Sequence, residues 1–296
     1  MNININHLSK SYDKKNLAID NLTIKFVPGI TGLVGVNGAG KSTLFRLISN
    51  VLDLDEGEIS INGFAQNSKE AKELVYFLSD DPYYPSGAKA KDLVDFYGAF
   101  YSFDKEKYYE LVNKFSLPLD KKISSFSKGM RRQIFICVAF SLDVKILLLD
   151  EAFDGLDPLV LEMIKEEIIK NSDGEKIIII SSHNISALEK LVDRFVIIYQ
   201  GHITSQGTSE SLGEDFVKYQ AMFTSDITEE RLKEYGLKII SYKKVGSILN
   251  FVIRDDEEKI KVLQEKEKPI LLEQIPIDAD EILTLQLMLS KKGGEE

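Results

Sequence analysis

The chain has 296 residues, 44% of them hydrophobic and 28% charged, with a formal net charge of −10. That length suits one large domain plus a small one, and the composition can bury a sizeable core. The acidic balance argues against non-specific nucleic-acid binding, and the single cysteine, Cys137, excludes an internal disulfide and a cysteine-rich metal site.

The opening MNININHLSK lacks the basic and then apolar pattern of a signal peptide. No apolar run approaches a membrane span, and IFICVAFSLDVKILLLD is broken by Asp143 and Lys145. The expectation is a soluble, cytoplasmic chain. Through about residue 200, short apolar runs alternate with helical patterns. ITGLVGV precedes a glycine-rich loop and KSTLFRLISNVL; VKILLLDE precedes PLVLEMIKEEIIK; KIIIISSH precedes ISALEKLVDRF; FVIIYQGHIT follows. Runs apolar on both faces suit strands of a parallel sheet covered by helices. Between these lies a mostly helical stretch rich in tyrosine and phenylalanine, read as a helical insert at about 82–142. After about Ser211 the pattern becomes helix, two strands, helix, strand, helix, which predicts a second, small α+β domain over 211–296. The tail KKGGEE is expected to be disordered.

Two segments carry phosphate chemistry. GVNGAGKST (35–43) fits G-x-x-x-x-G-K-[ST] between a predicted strand and a predicted helix. Backbone N–H groups of Asn37, Gly38, Ala39 and Gly40 can converge on phosphate oxygens at the helix N-terminus. Lys41 reaches the outer phosphates, and Ser42 and Thr43 follow. ILLLDE then ends an apolar strand in Asp150, suited to hold Mg²⁺, and Glu151, suited to polarise a water. A third segment, SSFSKGMRRQ, predicts a helix with Ser127 at its N-cap. Its first turn offers Lys128, Arg131 and Arg132 and no carboxylate. A helix N-terminus favours negative charge, so these cations either await an anion or face solvent.

GVNGAGKST, FSKGMRRQ, ILLLDEAFDGLDP and IIIISSH, in that order, resemble the nucleotide-binding subunit of ABC transporters over about residues 1–210. The resemblance implies an α/β P-loop ATPase core with the helical insert, binding ATP and Mg²⁺. It implies that Tyr12 stacks on adenine, that His183 touches the γ-phosphate beside catalytic Glu151, and that Asp157 crosses a dimer interface. Asp157 also reads as an N-cap with Pro158 behind it. Ser127, Lys128, Gly129 and Met130 take the place of the signature motif, which contacts ATP held by a second subunit. Metal would fall to Ser42, Asp150 and Asp80; Asp80 stands where the family commonly has glutamine, with Asp81 as the neighbouring choice. YYPSGAKAKDLVDFYGAFY and FSKGM look most like exporters of drugs, antimicrobial peptides or lipids. The implied partners are a second ATP-binding subunit and a separate transmembrane permease at the cytoplasmic face of the membrane, with Tyr83, Tyr84 and Phe96 as candidate permease contacts. The alternatives are a soluble ABC-type ATPase and an ATP-binding regulatory or scaffold subunit.

Overall fold

The structure is a computed structural model that describes residues 1–13, 16–254 and 256–293. The chain divides into two compact units, Met1–Ile203 and Thr204–Glu296. The first unit opens with strands β1 (Ile3–Asp13), β2 (Asn16–Phe26) and β3 (Gly29–Val34), then helix α1 (Lys41–Ile48). There follow β4 (Glu56–Ile61), β5 (Phe64–Ala65), α2 (Lys69–Leu74) and β6 (Val75–Leu78). The insert contains α3 (Leu93–Gly98), α4 (Lys105–Lys114) and α5 (Lys128–Ser141). The core resumes with β7 (Ile146–Leu149), α6 (Pro158–Asn171), β8 (Ile177–Ser182) and β9 (Arg194–Tyr199), and β10 (His202–Gly207) runs across the division between the units.

One six-stranded sheet has the order β10-β9-β3-β8-β7-β6, and its β9-β3-β8-β7-β6 pairings are parallel. β7 (ILLL) and β8 (IIIISS) are buried at every residue, as strands covered on both faces must be. Parallel order brings the C-terminal ends of β3, β6, β7 and β8 to one edge, where open α/β sheets bind ligands. Helix α5 is buried from Arg132 through Ser141, so it runs through the interior of the unit, with Cys137 fully buried. A second, antiparallel sheet of order β2-β1-β4-β5 had no counterpart among the predicted elements. Ile3, Ile5, Ile19, Phe26 and Ile61 from it share a core with Leu44, Phe45, Leu148 and Ile179.

ISALEKLVDRF does not form the regular helix its pattern suggests. Leu188 N–H bonds to Ile185 O and Leu191 N–H to Leu188 O, a three-residue repeat that buries Ile185, Leu188 and Leu191 in successive tight turns.

The second unit contains α7 (Ser209–Gly213), β11 (Phe216–Met222), α8 (Glu229–Glu234), β12 (Ile239–Val245), β13 (Ile248–Arg254), α9 (Glu257–Glu267), β14 (Leu271–Ile275) and α10 (Ala279–Gly293). Its sheet order, β12-β13-β11-β14 with antiparallel neighbours, is the split β-α-β arrangement of ferredoxin-like folds. Leu232, Ile260 and Leu263 of α8 and α9 pack with Phe251 and Ile253 in one core, and Leu285 of α10 packs with Phe216 and Val252 in another. The sequence pattern missed β11, the strand at the centre of this sheet. Of the tail, residues 291–293 continue α10, and 294–296 lie outside the described residues.

Candidate active site

β3 ends at Val34, and the chain turns through residues 35–40 into α1. Gly40 stands at the N-cap with φ +111°, and a Cβ there would lie 2.6 Å from Ala18 O, so only glycine fits. The first turn of α1 holds no acidic residue and no side-chain cap, leaving its N–H groups for an anion. Lys41, 5% exposed, donates from Nζ to Gly35 O at 2.6 Å and lies 3.2 Å from Glu151 Oε1. A cavity of about 380 Å³ is lined by Tyr12, Ala18, the run from Asn37 to Thr43, Asp80 and Glu151. Tyr12 is 59% exposed, with its hydroxyl 3.2 Å from Thr43 Oγ1. The fold thus gathers Tyr12, the phosphate-loop candidates, Asp80 and Glu151 around one opening.

The acidic wall comes from β7 and the adjacent β8. Asp150 is 2% exposed, and Ser181 donates from Oγ to its Oδ1 at 2.6 Å. The same Ser181 oxygen accepts the Glu151 N–H at 2.8 Å. One hydroxyl therefore holds both acidic residues, a role the sequence reading missed; its only trace there was a serine ending an otherwise aliphatic strand. Glu151 has φ +47°, the left-handed region that costs a non-glycine residue about 1–2 kcal/mol. Its carboxylate meets Lys41 at one oxygen and His183 Nδ1 at the other, the latter at 3.2 Å. Glu151, Asp154 and His183 each offer a ligand atom within 4.8 Å of the others, a grouping absent from the predicted metal set.

At the start of α5, Ser127 is the N-cap and accepts the Met130 N–H at 3.1 Å. Ser127 and Lys128 are exposed, while Gly129 and Met130 are half-buried. The cationic turn differs from expectation. Arg131 donates to Phe126 O at 2.9 Å, and Lys128 Nζ lies 3.6 Å from Asp80 Oδ1. Arg132 neither faces solvent nor awaits an outside anion. It is 2% exposed and donates to Asp150 O at 3.0 Å, to Glu151 O, and to Asp80 through both its main-chain oxygen (3.3 Å) and Oδ1. The reason is packing: the start of α5 abuts the loops that follow β6 and β7, and those loops supply the acceptors. Asp80 lines the cavity as its metal assignment requires, but its Oδ1 is committed to Arg132 and Lys128. Asp157 is the N-cap of α6 with Pro158 next, yet its exposed side chain makes no capping hydrogen bond.

Comparison with known proteins decides the family. The family described as ABC transporter matches residues 19–154. The uncharacterized ABC transporter ATP-binding protein YhaQ of Bacillus subtilis is 30% identical over 262 residues, 86% of this chain and 87% of that protein. The chain belongs to the ABC transporter ATP-binding proteins. The ABC transporter ATP-binding protein YtrB of Bacillus subtilis is 28% identical over 302 residues and spans 99% of both chains, so the likeness extends through the second unit. A solved structure described as the ATP-binding subunit of an ABC transporter superposes with a TM-score of 0.66 at 25% identity, over 72% of this chain and 92% of that one. This ABC protein therefore binds ATP and is an ATPase of the kind coupled to transport.

No helix among the described residues is long and apolar enough to cross a membrane. The ABC unit does carry a groove of about 600 Å³ beside β6, lined by residues that include Val51, Tyr76, Tyr83, Phe96, Tyr97 and Tyr101. Tyr76 stacks edge-on against Tyr97 and Tyr101 at 5.8 and 6.0 Å, and burial holds its phenol well above the ordinary tyrosine pKa. Tyr83 is 77% exposed at the groove's rim. Tyr84, half-buried, instead packs on buried Phe135, 6.1 Å between ring centres.

Proposed function

We propose that this chain is the ATP-hydrolysing subunit of a membrane exporter, closing as a pair around two ATP molecules and opening on hydrolysis. The observation that carries this reading is that one chain holds both halves of a composite site. One half is the cavity lined by Lys41, Ser42 and Glu151, with Asp150 and His183 beside Glu151; the other is the accessible start of α5 from Ser127 to Met130, exposed at Ser127 and Lys128. Two copies, or one copy and a related chain, then suffice to satisfy each γ-phosphate from both sides. Tyr12 stacks on the base, the loop from Asn37 to Thr43 cradles the phosphates, and Asp157 lies at the meeting of the two subunits.

Hard oxygen donors suit Mg²⁺, and the Ser42 hydroxyl with the buried, hydrogen-bonded Asp150 carboxylate fit that ion. When bound, Mg²⁺ neutralises charge developing on the phosphates. Glu151, flanked by Lys41 and His183, orients the attacking water. The aromatic groove at Tyr76, Tyr83 and Phe96 receives a separate membrane-spanning chain, and the motifs resemble those of exporters. Drugs, antimicrobial peptides and lipids are the cargo classes this reading allows.

The test is Glu151→Gln with Mg·ATP. Turnover should fall by roughly 10²–10⁴-fold while binding persists, and an ATP-bound dimer should accumulate by light scattering. A variant that stays monomeric with or without its membrane partner overturns the paired-subunit reading.

A further inference from the structure

The Arg132 side chain has four acceptors, drawn from two loops. It is 2% exposed and lies in the first turns of a helix that carries the signature residues. A buried guanidinium needs its donors satisfied, and its planar fork fixes the groups it binds more tightly than an ammonium could. Here the bound groups are the main-chain oxygens of Asp150 and Glu151 and the carboxylate and carbonyl of Asp80.

Glu151 sits in a left-handed backbone conformation, which persists only when neighbours over-determine it. Its N–H is held by Ser181, and its carbonyl accepts from Arg132 and from the Asp154 N–H at 3.1 Å. Removing the guanidinium would leave the carbonyl to the Asp154 N–H alone, a weaker restraint on the strained residue whose carboxylate meets Lys41 and His183. We infer that Arg132 is a positioning residue for ATP hydrolysis, locking the Glu151 main chain, with Asp80 as its counter-ion. Asp80 thereby joins the clamp to the loop that runs on to Pro82 and Tyr83 at the aromatic groove. The start of α5, the acidic wall and the groove loop meet at one side chain.

This rests on the reading that Glu151 is catalytic, and the test separates the two. ATP turnover is measured on the full chain for Arg132→Met, Arg132→Lys, Asp80→Asn and Glu151→Gln, alone and combined. Misplacing a catalytic group by about 1 Å can cost about 10²-fold, so Arg132→Met should lower kcat by about 10- to 100-fold with KM nearly unchanged. Arg132→Lys keeps the charge but cannot bridge the carbonyls, so it should show the same split with a smaller loss. Asp80→Asn should lose less than Arg132→Met, and the pair together should lose less than the product of the single effects. In the Glu151→Gln background, Arg132→Met should bring no further loss of turnover, because the carboxylate it positions is gone. A wild-type kcat for both Arg132 variants overturns the inference. So does a further loss in the Glu151→Gln background, or an increase in KM without a change in kcat. Wild-type turnover of Glu151→Gln overturns the catalytic reading of Glu151 instead, whatever Arg132 does. If Arg132→Met does not fold, Arg132→Lys carries the same decision.

Discussion

Replacing Ser181 with alanine removes one oxygen atom that serves two acidic residues. The hydroxyl is 1% exposed with its residue, donates to a buried carboxylate and accepts a main-chain N–H. A hydrogen bond to a charged group contributes about 1.5–3 kcal/mol, and a buried donor left without a partner costs about 1–3 kcal/mol. Ser181→Ala should therefore destabilise the first unit by roughly 3–5 kcal/mol, within the stability of about 5–15 kcal/mol typical of a domain, so that it still folds. Both Asp150 and Glu151 also lose their shared anchor, and turnover should fall about 10²-fold. Urea unfolding followed by circular dichroism reads the first effect. With two units, the transition that Mg·ATP moves to higher urea identifies the first. A change below about 0.5 kcal/mol in that transition, with turnover intact, would refute the claim that this hydroxyl organises the acidic wall.

Two further predictions follow from the geometry. Tyr12→Ala should weaken ATP binding by about 1–3 kcal/mol, while Tyr12→Phe, which keeps the ring, should bind nearly as wild type; calorimetric titration separates them, and unchanged affinity in the alanine variant removes Tyr12 from the base site. Tyr108 is fully buried, donates to Ala90 O at 2.7 Å, and burial raises its phenol far above the ordinary range. The unfolded chain releases that proton near pH 10 while the folded chain keeps it, so stability should decline as pH rises beyond about 10. Tyr108→Phe should be less stable at neutral pH and show a shallower alkaline decline in urea midpoint; an unchanged slope would contradict this origin.

What was legible in the sequence was local and contiguous. GVNGAGKST needs its glycines because Gly40 has φ +111° and abuts Ala18 O, and ILLL and IIIISS advertise burial on both faces. The antiparallel sheet at the N-terminus was not legible, because β1 changes register against both β2 and β4 and its burial never settles into strict alternation. β11 escaped for a related reason: most of FVKYQAM is half-buried, with neither a clean apolar face nor an apolar run. Arg132 was misread because its partner Asp80 lies 52 residues earlier in the chain. A basic helical turn looks the same in sequence whether it meets solvent, a ligand or a carboxylate brought there by the fold.

If two subunits pair as proposed, the placement of Arg132 changes which groups the start of α5 can offer the second one. Three cations stand in its first turns, but Arg132 is consumed by Asp80 and two carbonyls, and Arg131 by Phe126 O. Lys128 alone of the three is exposed, and it shares Asp80 at 3.6 Å, long enough to yield to a closer anion. Under the proposed pairing, the pull on a neighbour's triphosphate therefore falls to Lys128 and the N–H groups of the helix start, with Met130 N–H already given to Ser127. On the opposite side of the site, Lys41 and Glu151 neutralise each other across 3.2 Å. If a bound phosphate draws Lys41 away, Glu151 keeps its contact with His183 Nδ1 and the main-chain bonds from Ser181 and Arg132, so its carboxylate stays in place at the cavity wall.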